Sequence, residues 1–274
     1  MVGIRSVTYQ MPEQYTQRHL EQIANLSRVW DGSFPFIRTQ RVSLCPLSDK
    51  VSLSCFRDLS RLCDMSSIRW FNVPLHPYHS RHLPELFGFA HAVLAEYGRA
   101  FVNILGVDGE EIRPELLCRC TELVRKTALL SANGKDNFRL GISVNVQPDG
   151  PFFPFTYSSG EMGFSIALEL TQEINEVCAR SHSADLTALR KEILTRLLPQ
   201  IERIHTLAAR LAEEANLVFH GFDFSLAPII DENGSVVTVL NRLGVFDFGR
   251  TGTLFATGYL TNILKHLAAR FPSV

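Results

Sequence analysis

Residues 140–157 read LGISVNVQPDGPFFPFTY, and the first eight of them decide the fold. Their even positions, Leu140, Ile142, Val144 and Val146, are apolar, and their odd positions, Gly141, Ser143, Asn145 and Gln147, are small or polar. Successive side chains of a strand leave opposite faces, so a period of two predicts a strand with one apolar and one polar side. A strand buried between two layers of helices would be apolar on both sides. The alternation therefore favours a closed barrel with a partly polar lumen over an open doubly wound sheet.

Further strands are expected over residues 2–9, 36–45, 68–74, 100–104 and 217–226, each ending near a turn former or polar residue. Between them lie helical patterns over 12–29, 113–130, the long stretch after Asp185, and 254–267. Pro12 and Pro114 suit the first turns of their helices, and Pro199 is a candidate kink in the third. Residues 161–178 read as helix by length, although Phe164, Ile166, Leu168 and Leu170 also alternate as in a strand. Strand and helix alternating this often give a mainly parallel sheet, because parallel neighbours need a crossover long enough to hold a helix. One late exception is expected: Asp231, Glu232, Asn233 and Gly234 sit between apolar runs over 226–240 as an antiparallel hairpin turn would. No linker or repeat divides the chain, so the expected fold is a single α/β domain over 1–274, a mainly parallel β/α barrel with a late hairpin.

Composition narrows the function. With 46% hydrophobic and 20% charged residues the chain has enough apolar surface to fold. A net charge of −1 lacks the basic excess that nucleic acid rewards, so no nucleic-acid partner is expected. No apolar run approaches the roughly 18 residues of a membrane span, and the start MVGIRSVTYQ lacks a signal-peptide core, so the expectation is a cytoplasmic protein without a membrane partner. Six cysteines without a C-x-x-C read as reduced thiols: Cys118 and Cys120 diverge on a helix, and Cys55, Cys63 and Cys178 read as core packing.

In barrels and open sheets alike, ligands bind beyond the carboxyl ends of the strands. Asn72, Asn103, Asn145, Gln147, Asp223 and Ser225 all fall near such ends. Asp223 is the candidate acid or base, Asn145 and Ser225 complete the catalytic set, and Asn72, Asn103 and Gln147 would bind substrate. The prolines and phenylalanines of 148–157 form either a lid or a stiff wall, with Tyr157 and Glu161 as its polar members. Gly249, Arg250, Thr251, Gly252 and Thr253 open the last helix, where a glycine turn and the first free amides suit a phosphate or carboxylate. The competing reading is an ordinary helix cap on Thr251 or Thr253. His76, His79 and His82 are spaced for a metal, but Pro77 interrupts them, and no metal is assigned; no cofactor is assigned either. Cys45 is the one cysteine expected at the rim, as a nucleophile in need of a base.

The blocks GISVNVQPDGPFFPFTYSSGE, GFDFSLAPI and FGRTGT with its following helix resemble, in order and spacing, a bacterial and archaeal family called domain of unknown function 711. The resemblance covers chiefly residues 139–265. It implies a barrel similar to that of pyruvate formate-lyase and other glycyl-radical enzymes, with a site in the lumen, and no established reaction. Family members continue beyond the helix where this chain stops, so part of the barrel or its cover would come from another subunit or be missing. Their Gly-Thr-His-Gly-Thr is replaced here by Gly249, Arg250, Thr251, Gly252 and Thr253. Radical chemistry is not implied, since neither an Arg-Val-x-Gly loop nor adjacent cysteines are present.

Three functional classes follow. The first is a non-radical enzyme acting on a small polar or anionic metabolite at the strand ends. The second is a binding or regulatory protein that uses the same pocket without turnover. The third is a structural assembly partner. A homo-oligomer is compatible with each.

Overall fold

The computed structural model describes residues 1–107, 109, 112–181, 185–227 and 233–273. The strands are β1 (Gly3–Gln10), β2 (Ile37–Ser43), β3 (Ile68–Leu75), β4 (Ala100–Val107), β5 (Leu140–Val144), β6 (Gly163–Glu169) and β7 (Val218–Asp223). The helices are α1 (Gln17–Ser33), α2 (Arg57–Met65), α3 (Leu83–Glu96), α4 (Pro114–Ala128), α5 (Thr171–Arg180), α6 (Leu186–Ala215), α7 (Val236–Arg242) and α8 (Thr253–Ala268). One seven-stranded, mostly parallel sheet has the order β5-β4-β3-β2-β1-β6-β7, which makes the fold α/β. The chain divides into two compact units, Ser6–Ser165 and a second made of Met1–Arg5 with Ile166–Val274.

In the first unit, β2, β3, β4 and β5 pair in parallel, with Ser43 beside Asn72, Pro74 beside Asn103, and Asn103 beside Gly141. That register sorts the side chains. Val42, Phe71, Val73, Leu75, Val102 and Ile104 share one face, all fully buried. Onto that face pack α2 against β3, α3 against β4, and α4 against β4 and β5, through Leu59, Leu62, Leu86, Ala90, Val93, Leu116 and Leu123. Each large apolar side chain so buried contributes about 1.5–3 kcal/mol, so this layer holds the unit together. Arg139 ties its edge: its guanidinium donates to the carbonyls of Leu94, Tyr97 and Ala100, closing the C-terminus of α3.

In the second unit the long α6 starts at Asp185, whose carboxylate accepts from the Thr187 amide at 2.8 Å, and runs unbroken through Pro199. Its buried stripe of Leu189, Ile193, Leu197, Ile201, Ile204, Ala208 and Leu211 is the one that the spacing predicts. His205 from α6 joins Phe219, Phe222 and Phe271 in an aromatic cluster, ring centroids 5.7–6.2 Å from the imidazole.

Several expectations need correction. Residues 163–169 are strand β6 and the helix begins only at Thr171; the alternation of Phe164, Ile166 and Leu168 outweighs length because the strand is buried on both faces. The antiparallel hairpin does not form as expected. Its second arm is helix α7, where Val239 and Leu240 are buried and α5 and α8 pack alongside, so tertiary contact overrides the strand preference of a valine-rich run. Asp231 and Glu232 of its turn lie outside the described residues. Helix α1 starts at Gln17 instead of near Pro12, because the Thr16 amide donates to His19 Nδ1 at 3.1 Å and sets the cap there. Cys55 lies exposed in a 3₁₀ turn ahead of α2, not in the core.

Candidate functional site

The face of the sheet opposite the helices in the first unit carries polar side chains beside the rings of Trp70 and Phe101. Ser43, Asn72 and Asn103 follow one another across β2, β3 and β4 by register, none more than marginally exposed. Residues 148–158 lie over them as a strap. Asn72 Nδ2 donates to the carbonyls of Thr156 (2.7 Å) and Pro154 (3.1 Å), while its Oδ1 accepts from the Leu44 amide at 3.1 Å. Asn103 Nδ2 donates to the Phe155 carbonyl at 3.2 Å. From β1, Gln10 Nε2 donates to the Asp149 carbonyl and to Ser165 Oγ, each at 3.0 Å. Ser158 completes the fastening, its amide donating to the Leu44 carbonyl at 2.9 Å and its hydroxyl to that of Met11 at 2.6 Å. Aromatic packing adds to it, with the Phe153 ring 5.0 Å from Phe101 and the Arg41 guanidinium over both Phe153 and Trp70. The segment is thus a wall held by three side-chain amides, and both asparagines sit in mid-strand instead of at the strand end, since β3 and β4 run on to Leu75 and Val107.

Gln10 faces the strap, so alternation puts Thr8 and Ser6 on the same side, with Tyr9 turned toward α1, where its hydroxyl donates to Gln40 Oε1 at 2.6 Å. This polar side of β1 was legible in the run SVTYQ, where Ser6, Thr8 and Gln10 alternate with Val7 and Tyr9, but strand-end reasoning passes over it. The oxygens of Ser6, Thr8, Gln10 (Oε1), Ser43, Asn103 (Oδ1) and Thr156 are buried without a protein hydrogen-bond partner. The amide orientations are fixed, because each Nδ2 or Nε2 faces a carbonyl that can only accept. Gln10 and Asn103 therefore present bare acceptors. Such an oxygen costs about 1–3 kcal/mol when nothing donates to it, and buried polar groups in folded proteins are rarely left so.

In the second unit Asp223 ends β7, buried at 4% exposure. Arg5 forms an ion pair with its Oδ2, Ser225 Oγ donates to the same oxygen at 2.9 Å, and the Ser225 amide donates to Oδ1 at 2.7 Å. Arg5 also donates to Ser225 Oγ at 3.3 Å and to its carbonyl at 3.4 Å. The expected catalytic pair Asp223 and Ser225 is thus brought together, and Arg5, which spacing does not reveal, joins it. Both carboxylate oxygens are engaged.

The other expected residues are placed elsewhere. Asn145 is exposed at φ 50°, directly follows β5, and donates through Nδ2 to the Gly109 carbonyl at 2.8 Å. Gln147 and Glu161 are exposed, and the Tyr157 carbonyl accepts from the Asp149 amide at 2.8 Å. Gly249, Arg250, Thr251 and Gly252 form an exposed turn, with Gly249 and Gly252 at φ 93° and 91°. There the Gly249 amide donates to Thr253 Oγ1, the Thr253 amide to the Arg250 carbonyl and the Arg250 amide to the Asp247 carbonyl, so much of the nest is used by the protein itself. Gly252 is the N-cap of α8, in place of Thr251 or Thr253. Cys45 is half-buried, its thiol donates to the Met11 carbonyl at 3.5 Å, and burial pushes its pKa up despite a hydrogen bond from Ser158, which opposes a nucleophilic role. His76 and His79 stack face to face at 4.0 Å, and His82 caps α3.

A UPF0210 protein of Pyrobaculum arsenaticum is 29% identical over 150 residues, which are 53% of this chain and 33% of that protein. UPF0210 proteins of Sulfurisphaera tokodaii and Pyrobaculum islandicum are 30% and 28% identical over 131 residues, 46% of this chain and 29% of each of theirs. The matched part thus spans about a third of the length of these relatives. The family model described as Uncharacterised ACR (DUF711) matches residues 54–271, from the turn before α2 to the end of α8, and the chain belongs to that family.

Proposed function

We propose that the chain binds a small polar metabolite against the strap-side face of its sheet. The observation that carries this reading is the set of buried, unpartnered oxygens on Ser6, Thr8, Gln10, Ser43, Asn103 and Thr156. Gln10 Oε1 and Asn103 Oδ1 can only accept, while the serine and threonine hydroxyls can donate or accept. The matching ligand carries hydroxyl or amino donors along one edge, as a polyol, a sugar or a hydroxy acid does. A carboxylate on it would be served by the hydroxyls.

Turnover is the second reading, favoured by Ser225 Oγ at 2.9 Å from Asp223 Oδ2, within reach of a nucleophile and its base. In that scheme Asp223 is the acid or base, Ser225 assists at the reacting centre, and Arg5 holds the carboxylate. Binding is preferred because the Asp223 oxygens already accept from Arg5 and Ser225.

A thermal-shift screen of polyols, sugars and hydroxy acids tests the proposal. Expected is stabilisation by at least one class that is lost in Thr8→Val and Ser43→Ala. No stabilisation by any class, or stabilisation unchanged in both variants, overturns it. Turnover assays on the hits, repeated in Asp223→Asn, separate the two readings.

A further inference from the structure

β5 stands at the end of the strand order, so among the described residues one of its backbone edges has no neighbouring strand. Its sequence, LGISV, carries no charge, proline or other device that blunts a sheet edge. Its polarity is also inverted. Gly141 and Ser143 on the polar side are buried, while the apolar Ile142 and Val144 are 37% and 60% exposed on the helix side.

Helix α4 extends that apolar surface. Its flank toward α3 is Arg119, Glu122, Leu123 and Lys126, which line a groove with Phe87, Gly88 and His91. The opposite flank, one helical stripe of Leu117, Thr121, Val124 and Ala128, faces the open edge and carries no charge. Leu117 is 45% and Val124 37% exposed. On the strap side of the same edge, Phe138 is 71% and Phe155 43% exposed. Phe155 lies over Gly141, where an added Cβ would come within 3.0 Å of its ring.

We propose that this edge docks a second copy of the chain, the two β5 strands pairing antiparallel across a two-fold axis. A two-fold places α4 flank against α4 flank and edge against edge, so the surface must complement itself. A stripe without charge does so. The area is that of a small interface: side chains of about 150–200 Å² each, at the exposures given, leave roughly 500 Å² per copy, hence about 1,000 Å² in the pair, the threshold for a specific interface.

Sedimentation velocity on the full chain between about 1 and 100 µM tests it, a range that spans the affinity expected of so small an interface. Expected is a dimer, with Val144→Lys and Val124→Glu each weakening association about tenfold or more, the cost of setting like charges against each other across the axis. A monomer throughout that range, or a dimer indifferent to both substitutions, overturns the proposal. Should a variant lose its circular-dichroism spectrum, hydrogen exchange on the unaltered chain decides. Amides of residues 141–144 must gain protection as concentration rises, and constant protection overturns the proposal.

Discussion

Asn72 in β3 donates to the carbonyl of Thr156 at 2.7 Å, across 84 positions of sequence, and so turns a proline- and phenylalanine-rich loop into a fixed wall. One amide side chain makes three bonds there, two to the strap and one to Leu44. Asn72→Ala leaves three buried backbone groups unpaired and is expected to cost about 2–4 kcal/mol. Asn103→Ala removes one bond and an unpartnered oxygen, and is expected to cost less than half as much. Urea unfolding measures both, and limited proteolysis should cut within 148–158 in the Asn72 variant first.

Thr8 and Ser43 are fully buried with hydroxyls that have no protein partner. Thr8→Val and Ser43→Ala are therefore expected to leave the stability of the unliganded chain unchanged or to raise it by up to about 1 kcal/mol, because an uncompensated polar group is removed. Calorimetry checks this. A loss of 2 kcal/mol or more, about the worth of a satisfied buried hydroxyl, would mean that these oxygens are bonded within the protein after all.

The Arg5–Asp223 pair is 15% and 4% exposed, so breaking it strands a charge in poor contact with water. Asp223→Leu alone should cost about 3–5 kcal/mol, whereas Arg5→Met with Asp223→Leu should recover most of that. Chemical denaturation of the two single variants and the double variant closes the cycle; strictly additive losses would mean that the pair is not coupled.

Asp136 is held below the usual carboxylate range first by its hydrogen bond from Arg139, then by Ser131, against a smaller upward push from burial. A depressed folded value means that its contribution is present above the unfolded pKa of about 3.9 and is lost as pH falls through the folded value. Stability should thus fall with acid below about pH 4, and Asp136→Asn should flatten that part of the profile while lowering stability at neutral pH, since the Arg139 clamp on α3 loses its counter-charge. Unfolding midpoints from pH 2.5 to 7 read both effects.

Thiol reactivity should divide the cysteines two against four. Cys55 and Cys118 are exposed. Burial pushes Cys63 up to about 12 and Cys120 and Cys178 up to about 11, and raises Cys45. Ellman titration at pH 8 should find two fast thiols in the native chain and the remainder only after denaturation, with peptide mapping to identify them.

The α/β class, the alternation of helices with strands, and the two-sidedness of the regular elements are legible from residue spacing alone. The buried stripe of α6 and its start at Asp185 follow from spacing and capping within a few residues, which is local physics. Periodicity also separates polar from apolar sides of a strand, as in LGISVNVQ and SVTYQ. It does not say which side is buried, because that depends on what the rest of the chain lays over it. In β5 the polar side went under the strap and the apolar side stayed open; in 163–169 burial on both faces made a strand of what length suggested was a helix. Likewise the pattern marks Asn72 and Asn103 as polar groups near strand ends, but only tertiary structure commits them to the carbonyls of 154–156. The partners of such groups lie tens of residues away along the chain, and no pattern of nearest neighbours encodes a contact at that distance.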